Sequence, residues 1–291
     1  MSTESADPRF AELDAWPLDS AIEAMWDGQM SAVAAVKAAL PQIAAATGAA
    51  AARLAEKGRL IYAGAGTSGR VAVQDGTELG PTFNWPVDRL LFVMAGGGEA
   101  VLNSVEGAED DAAEGARQID VAQVSENDAV IGVAASGRTP FTLALIERAR
   151  ARGALTIGLA GNANSPLLLA SEFPVLLDTG SEVLAGSTRM KAGTAQKVAL
   201  NLISTGIMIR LGRVYKGLMV DMQLSNAKLR KRAETMVASL AGCGEAEAAA
   251  ALAASGGQIK AAVLVALGRS VDEADALLAA HGGNLRRVIG S

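Results

Sequence analysis

The 291-residue chain contains a single histidine, His281, and a single cysteine, Cys243. One cysteine cannot form an internal disulfide and fits a reducing cytoplasm. The same scarcity argues against a zinc site of His and Cys, and against a Ser-His-Asp or Cys-His centre unless His281 serves it. His281 sits in "AAHGGN", at a predicted helix end, where an imidazole suits the helix dipole with no catalytic role. Aromatic residues make up only 3% of the chain, and an Ala- and Gly-rich composition favours helices packed closely on a sheet over a β-sandwich. There is no excess of positive charge. The net charge of −5 argues against a general nucleic-acid binder. No charge-free apolar run reaches 18 residues, so neither a spanning helix nor a membrane partner is expected. A secretion signal is absent as well, and residues 1–10 read as a polar, frayed start. Acid–base chemistry is left to carboxylates, lysines and two tyrosines, and nothing calls for a metal or a cofactor.

What is present is a change of period. Residues 18–57 repeat apolar positions at intervals of three and four, predicting helix, with Gly58 as its cap. Short apolar runs then follow at 60–63, 90–94, 129–134, 155–160 and 173–177, separated by segments of helical composition such as 141–152. Strands alternating with helices predict a doubly wound, five-stranded parallel sheet, flavodoxin-like, and unalternated apolar strands predict helices on both faces. A long helix is expected over 188–211 and another, with a wet basic face, over 221–240. The tail repeats itself: "EAAAALAASGGQIKAAVL" (247–264) and "EADALLAAHGGNLRRVIG" (273–290) align without gaps. Each reads as helix, Gly-Gly turn and start of a helix. The predicted organisation is a helical N-terminal segment (1–57), a sheet domain (58–240) and a small helical C-terminal subdomain (241–291).

Ligands of open α/β sheets bind at the carboxyl ends of the strands, so the loops there matter most. "GAGTSGR" follows the first strand and spells G-x-G-x-x-G. A dinucleotide site would need an acid near the end of the second strand, yet only Glu99 lies there, behind three glycines. The turn instead carries Thr67 and Ser68 between Gly66 and Gly69, and two hydroxyls beside free N–H groups at a helix start suit a phosphate monoester. "ASGRTP" repeats that chemistry with Ser136, Gly137 and Thr139. "GSTRMK" offers Ser187, Thr188 and Lys191. Any one hydroxyl could simply cap its helix; three such places favour an anion site.

These segments together resemble the N-acetylmuramic acid 6-phosphate etherases of the SIS superfamily, relatives of the glucokinase regulatory protein. The resemblance rests on "LIYAGAGTSGRVAVQDGTELGPTF", "VEGAEDD", "VIGVAASGRTP", "GSTRMKAGTAQKVALNLISTGIMIRLGRVYKGLMVD" and "AAHGGNLRRVI". It implies a SIS fold, a cytoplasmic homodimer with shared active sites, and cleavage of the lactyl ether of a phosphorylated muramic acid. It also implies two catalytic glutamates: Glu78, in "DGTE", and Glu109, in "EGAED". Glu78 is read as proton donor to the leaving lactate and Glu109 as base at C2, with the reverse direction also open. The chain departs from the family around Glu78, where "TELGP" replaces the usual Ser-Glu-Cys-Pro-Pro. Alternatives from the same loop chemistry are a SIS-type sugar-phosphate isomerase and a non-catalytic sugar-phosphate sensor.

Overall fold

The five apolar runs become the five strands of one parallel sheet in the computed structural model, which describes residues 3–290. These are β1 (Leu60–Gly64), β2 (Leu90–Met94), β3 (Ala129–Val133), β4 (Leu155–Ala160) and β5 (Phe173–Leu176), ordered β2-β1-β3-β4-β5. Leu60 pairs with Leu90 on one side and Ala129 on the other, and every pairing is parallel. This is the doubly wound arrangement expected, and β1, β3 and β4 are buried along their whole length.

Helices α1 (Leu18–Ala38) and α2 (Leu40–Arg53) precede the sheet. Between β1 and β2 come α3 (Gly66–Thr77) and α4 (Leu79–Phe83), and α5 (Ala112–Val121) follows β2. Next are α6 (Pro140–Ala151), α7 (Pro166–Ala170) and α8 (Lys191–Arg210). On one face of the sheet, Ile61, Ala63 and Val130 share a core with Ile119 of α5, Leu145 and Ile146 of α6, and Leu167 of α7. On the other, the Tyr62 hydroxyl donates to Asp75 of α3 at 2.9 Å, and Asn201 of α8 donates to the same carboxylate. Helix α2 packs against β4 and β5.

The N-terminal region departs from its pattern twice. The expected unbroken helix over 18–57 bends by 60° at Ala39 and ends at Arg53, so Gly58 is not its cap. Pro41 explains the break, since proline is tolerated in a first turn but not inside a helix. The expected frayed start is also corrected from Thr3 onward; Met1 and Ser2 lie outside the described residues. Thr3 is only 1% exposed and is hydrogen-bonded to Asn162, far along the chain. Asp7 and Pro8 then open a short 3₁₀ turn, Pro8–Phe10.

The chain folds as two compact units. The first holds the residues up to Gly76 with Val87–Gly206; the second holds Thr77–Pro86 with the chain from Ile207 onward. The division thus falls at Gly206 rather than near 240. The reason is apolar: Tyr215, Val220 and Met222 belong to the core of the second unit. That core is completed by α9 (Ala227–Ala241), α10 (Glu245–Ala254), α11 (Ile259–Ala266), α12 (Val271–Ala280) and α13 (Leu285–Ile289). The two Gly-Gly turns of the repeat separate α10 from α11 and α12 from α13. His281 ends α12, its Nδ1 2.9 Å from the Leu277 carbonyl, as the dipole argument predicts. Residues 77–86 are held in this unit by Arg213, which donates to the carbonyls of Phe83 and Asn84 and lies over the Trp85 ring. Among the described residues no single helix is long and apolar enough to cross a membrane.

Candidate active site

The strand order reverses direction between β1 and β3, the switch point where such sheets bind ligands. A cavity of about 370 Å³ opens there in the first unit. Gly66, Thr67 and Ser68 line it from the turn after β1, and Ser136 and Thr139 from the loop after β3. Thr188 and Gly186 close another side, and Glu109 and Asp110 enter from the loop after β2. A second cavity, of about 240 Å³, shares Ala65, Gly66 and Glu109 with the first and extends past Arg70, Asn103 and Ser104. Glu109 therefore stands on the wall common to both.

Local structure explains why these groups face the space. Helix α3 starts at Gly66, and the first N–H with a helical partner is that of Gly69, which donates to Ala65 at 3.0 Å. The earlier N–H groups are the orphan donors of a helix start and point outward. Gly69 is a packing glycine: a Cβ there would lie 2.9 Å from the Gly64 carbonyl oxygen. Thr139 precedes α6 at its N-cap position but makes no side-chain cap bond, so its hydroxyl is not spent on its own helix. Ser136 Oγ accepts the Arg138 N–H at 3.2 Å, which curls the turn. Gly137 is buried behind it, at φ +68°, where a Cβ would strike Ser165.

Not every predicted residue reaches the cavity. Gly69 and Gly137 shape the turns without lining it, and Ser187 is absent from its wall. Lys191 turns away, its Nζ donating to the Ser181 carbonyl at 2.9 Å. The start of α8 is already occupied by a protein carboxylate. Glu182, 1% exposed, accepts the N–H groups of Lys191 and Ala192 at 2.9 and 3.0 Å, which removes the dipole's appeal to an outside anion. Glu78 belongs to the second unit, exposed at the N-cap of α4 and without a cap bond. The neighbours of Glu109 in the acidic segment have structural duties: Asp111 caps α5 through the Glu114 N–H. The Arg117 guanidinium, then Gln118, hold the Glu114 carboxyl down to about 2.

Three contributors escape the sequence reading. Arg138 is the cation at the cavity wall and lies inside a quoted motif, so its charge was the available signal. Arg70 donates to the carbonyls of Ala100, Val101 and Asn103, fixing the wall of the second cavity. Glu4 lines the first cavity from the far N-terminus, where no local pattern marks it.

The protein carries a SIS domain, which its parallel five-stranded sheet and the hydroxyl-lined pocket at the β1/β3 switch fit. The SIS domain model matches residues 109–205, and the model of the glucokinase regulatory protein N-terminal SIS domain matches residues 42–150. A solved structure from Bacteroides fragilis, assigned as a phosphosugar isomerase involved in capsule formation, shares the fold. Its TM-score is 0.50 at 21% identity, over 69% of this chain and 95% of that one. Sequence relatives are nearer. An N-acetylmuramic acid 6-phosphate etherase of Deinococcus radiodurans is 50% identical over 99% of this chain and 95% of its own length. One of Rubrobacter xylanophilus is 48% identical over 100% and 96%. The chain belongs to the N-acetylmuramic acid 6-phosphate etherase family.

Proposed function

We propose that the protein cleaves the D-lactyl ether of N-acetylmuramic acid 6-phosphate, giving N-acetylglucosamine 6-phosphate and D-lactate, a carbon–oxygen lyase reaction of peptidoglycan recycling. The observation that carries this reading is the convergence of Thr67, Ser68, Ser136, Thr139 and Thr188 with Glu109 on one cavity. The hydroxyls and the free N–H groups of α3 hold the phosphate. The sugar extends past Glu109 within the same cavity.

In the open-chain sugar the C1 aldehyde acidifies the hydrogen on C2. Glu109 removes that proton, a double bond forms between C2 and C3, and the C3–oxygen bond breaks. Glu78 delivers its proton to the departing lactate oxygen. Water then adds to C3 of the unsaturated aldehyde, giving one proton to Glu78 while Glu109 returns one to C2. Both carboxyls end as they began. The cycle needs two acids in opposite protonation states and no other group.

We assign the working form as a homodimer with shared sites. Leu18, Ile22, Trp26, Met30 and Val33 are all exposed and, three or four residues apart, form one apolar stripe along α1 that a second copy would cover. Free Cys243 supports a cytoplasmic location.

The test is product analysis with N-acetylmuramic acid 6-phosphate in heavy-oxygen water. Lactate should appear, with the label on C3 of the product sugar. Glu78→Gln and Glu109→Gln should each slow release by about 10²–10⁴-fold. Label in the lactate overturns the mechanism. Ligand-induced stabilisation without lactate would favour the sensor, and turnover of fructose 6-phosphate or glucosamine 6-phosphate instead would favour the isomerase.

A further inference from the structure

We propose that Glu4 is a substrate-contacting specificity residue, carried into the phosphosugar cavity by an N-terminal strap that Asn162 fastens. The inference rests on the function proposed above and adds a residue to that site. Chain ends are ordinarily loose unless something ties them down, and here the tie is specific. The Thr3 N–H donates to Asn162 Oδ1 at 3.1 Å, and Asn162 Nδ2 donates back to Thr3 Oγ1 at 3.0 Å. Gly161 lets the strap sit close, since a Cβ there would lie 2.9 Å from Thr3 Cγ2. The same Asn162 amide also donates to the Ser136 carbonyl at 3.1 Å. One side chain thus fixes both the strap and a phosphate-binding turn.

The strap places a carboxylate where the ligand goes. Glu4 lines the cavity with Thr67, Ser68 and Ser136, and Thr3 Oγ1 stands 3.5 Å from Glu4 Oε1 as a donor. A carboxylate only accepts hydrogen bonds, and beside a bound phosphate it repels the anion. Glu4 therefore serves the other end of the ligand: a donor on the sugar, a hydroxyl or the acetamido N–H. Thr3 and Asn162 act through it, as positioning residues. The strap reads the sugar while the hydroxyl turns read the phosphate.

Those two readings separate experimentally by titrating the full-length protein with N-acetylglucosamine 6-phosphate and with inorganic phosphate. Glu4→Ala should weaken the sugar phosphate about 10-fold, the loss of a charge-assisted bond, and leave inorganic phosphate unchanged or slightly tighter. Glu4→Gln keeps an acceptor oxygen and should recover most of the loss. In turnover the Glu4→Ala effect should fall mainly on KM, with the melting temperature unchanged. Equal sugar-phosphate affinity in wild type and Glu4→Ala overturns the proposal, and so does a parallel weakening of both ligands. A wild type that binds the sugar phosphate and releases lactate while Glu4→Ala binds normally sinks the strap alone. A wild type that neither binds the sugar nor releases lactate sinks the strap and the proposed function together.

Discussion

Asp128 is 2% exposed, yet its carboxylate pairs with the Arg59 guanidinium at 2.8 Å. Burial alone would raise its pKa, but hydrogen bonds from Arg59 and the Ser125 N–H outweigh burial and hold it below the ordinary value. The Arg59 N–H and Nη2 both reach it at 2.8 Å. Because the folded pKa lies below the unfolded one, this stabilisation is complete above about pH 4 and is lost as pH falls through the native value. Asp128→Ala should cost about 2 kcal/mol at pH 7, leaving the half-buried Arg59 guanidinium with only its carbonyl acceptors and the Arg59 and Ser125 N–H groups without theirs. Urea titrations at pH 7 and pH 3 should show the gap between wild type and variant closing in acid. Activity of the folded variant should be unchanged, since Asp128 lies at the amino end of β3, away from the cavity. At this same scale the site was only partly legible. Hydroxyls on the β1 and β3 loops were readable because strand ends in a parallel sheet converge on one place. Lys191 misled because its competitor for α8, Glu182, lies nine residues upstream in a segment with no motif. Glu4 was invisible because the side chain that anchors its neighbour Thr3, Asn162, is distant in sequence.

Helices α5 and α6 show how elements are matched. Gly115 sits where α5 crosses the start of α6, and a Cβ there would strike the Phe141 carbonyl. Alanine is the better helix former by about 1 kcal/mol, while overpacking costs about 1–3 kcal/mol. The obstacle is backbone and cannot swing aside, so overpacking should win. Gly115→Ala is expected to lower stability by a net of up to about 2 kcal/mol, read as a lower melting temperature. The strands themselves were legible to within a residue or two, because short apolar runs bounded by glycine and polar turns have few other uses. The kink at Ala39 was not. The period of three and four runs straight through Pro41, and only the pyrrolidine ring marks the interruption.

For the whole molecule the proposed dimer rests on the exposed stripe of α1. Trp26 is 60% exposed at the middle of the stripe, and an interface centred on an aromatic anchor is sensitive to charge there. Trp26→Glu should convert the proposed dimer into a monomer by light scattering, with lactate release falling in step if the sites are shared; a variant that stays dimeric would place the interface elsewhere. The unit boundary was misplaced by sequence because the basic helix 227–241 reads as solvated, whereas its inner face joins the core that begins at Tyr215.

The tie between Thr3 and Asn162 spans 159 residues. During synthesis the first of the pair leaves the ribosome on the order of ten to thirty seconds before its partner is made. Thr3 and Glu4 must therefore wait for their anchor until the chain through β4 has been made. The chamber is thus finished late, by a piece of chain made well before the loop that fastens it.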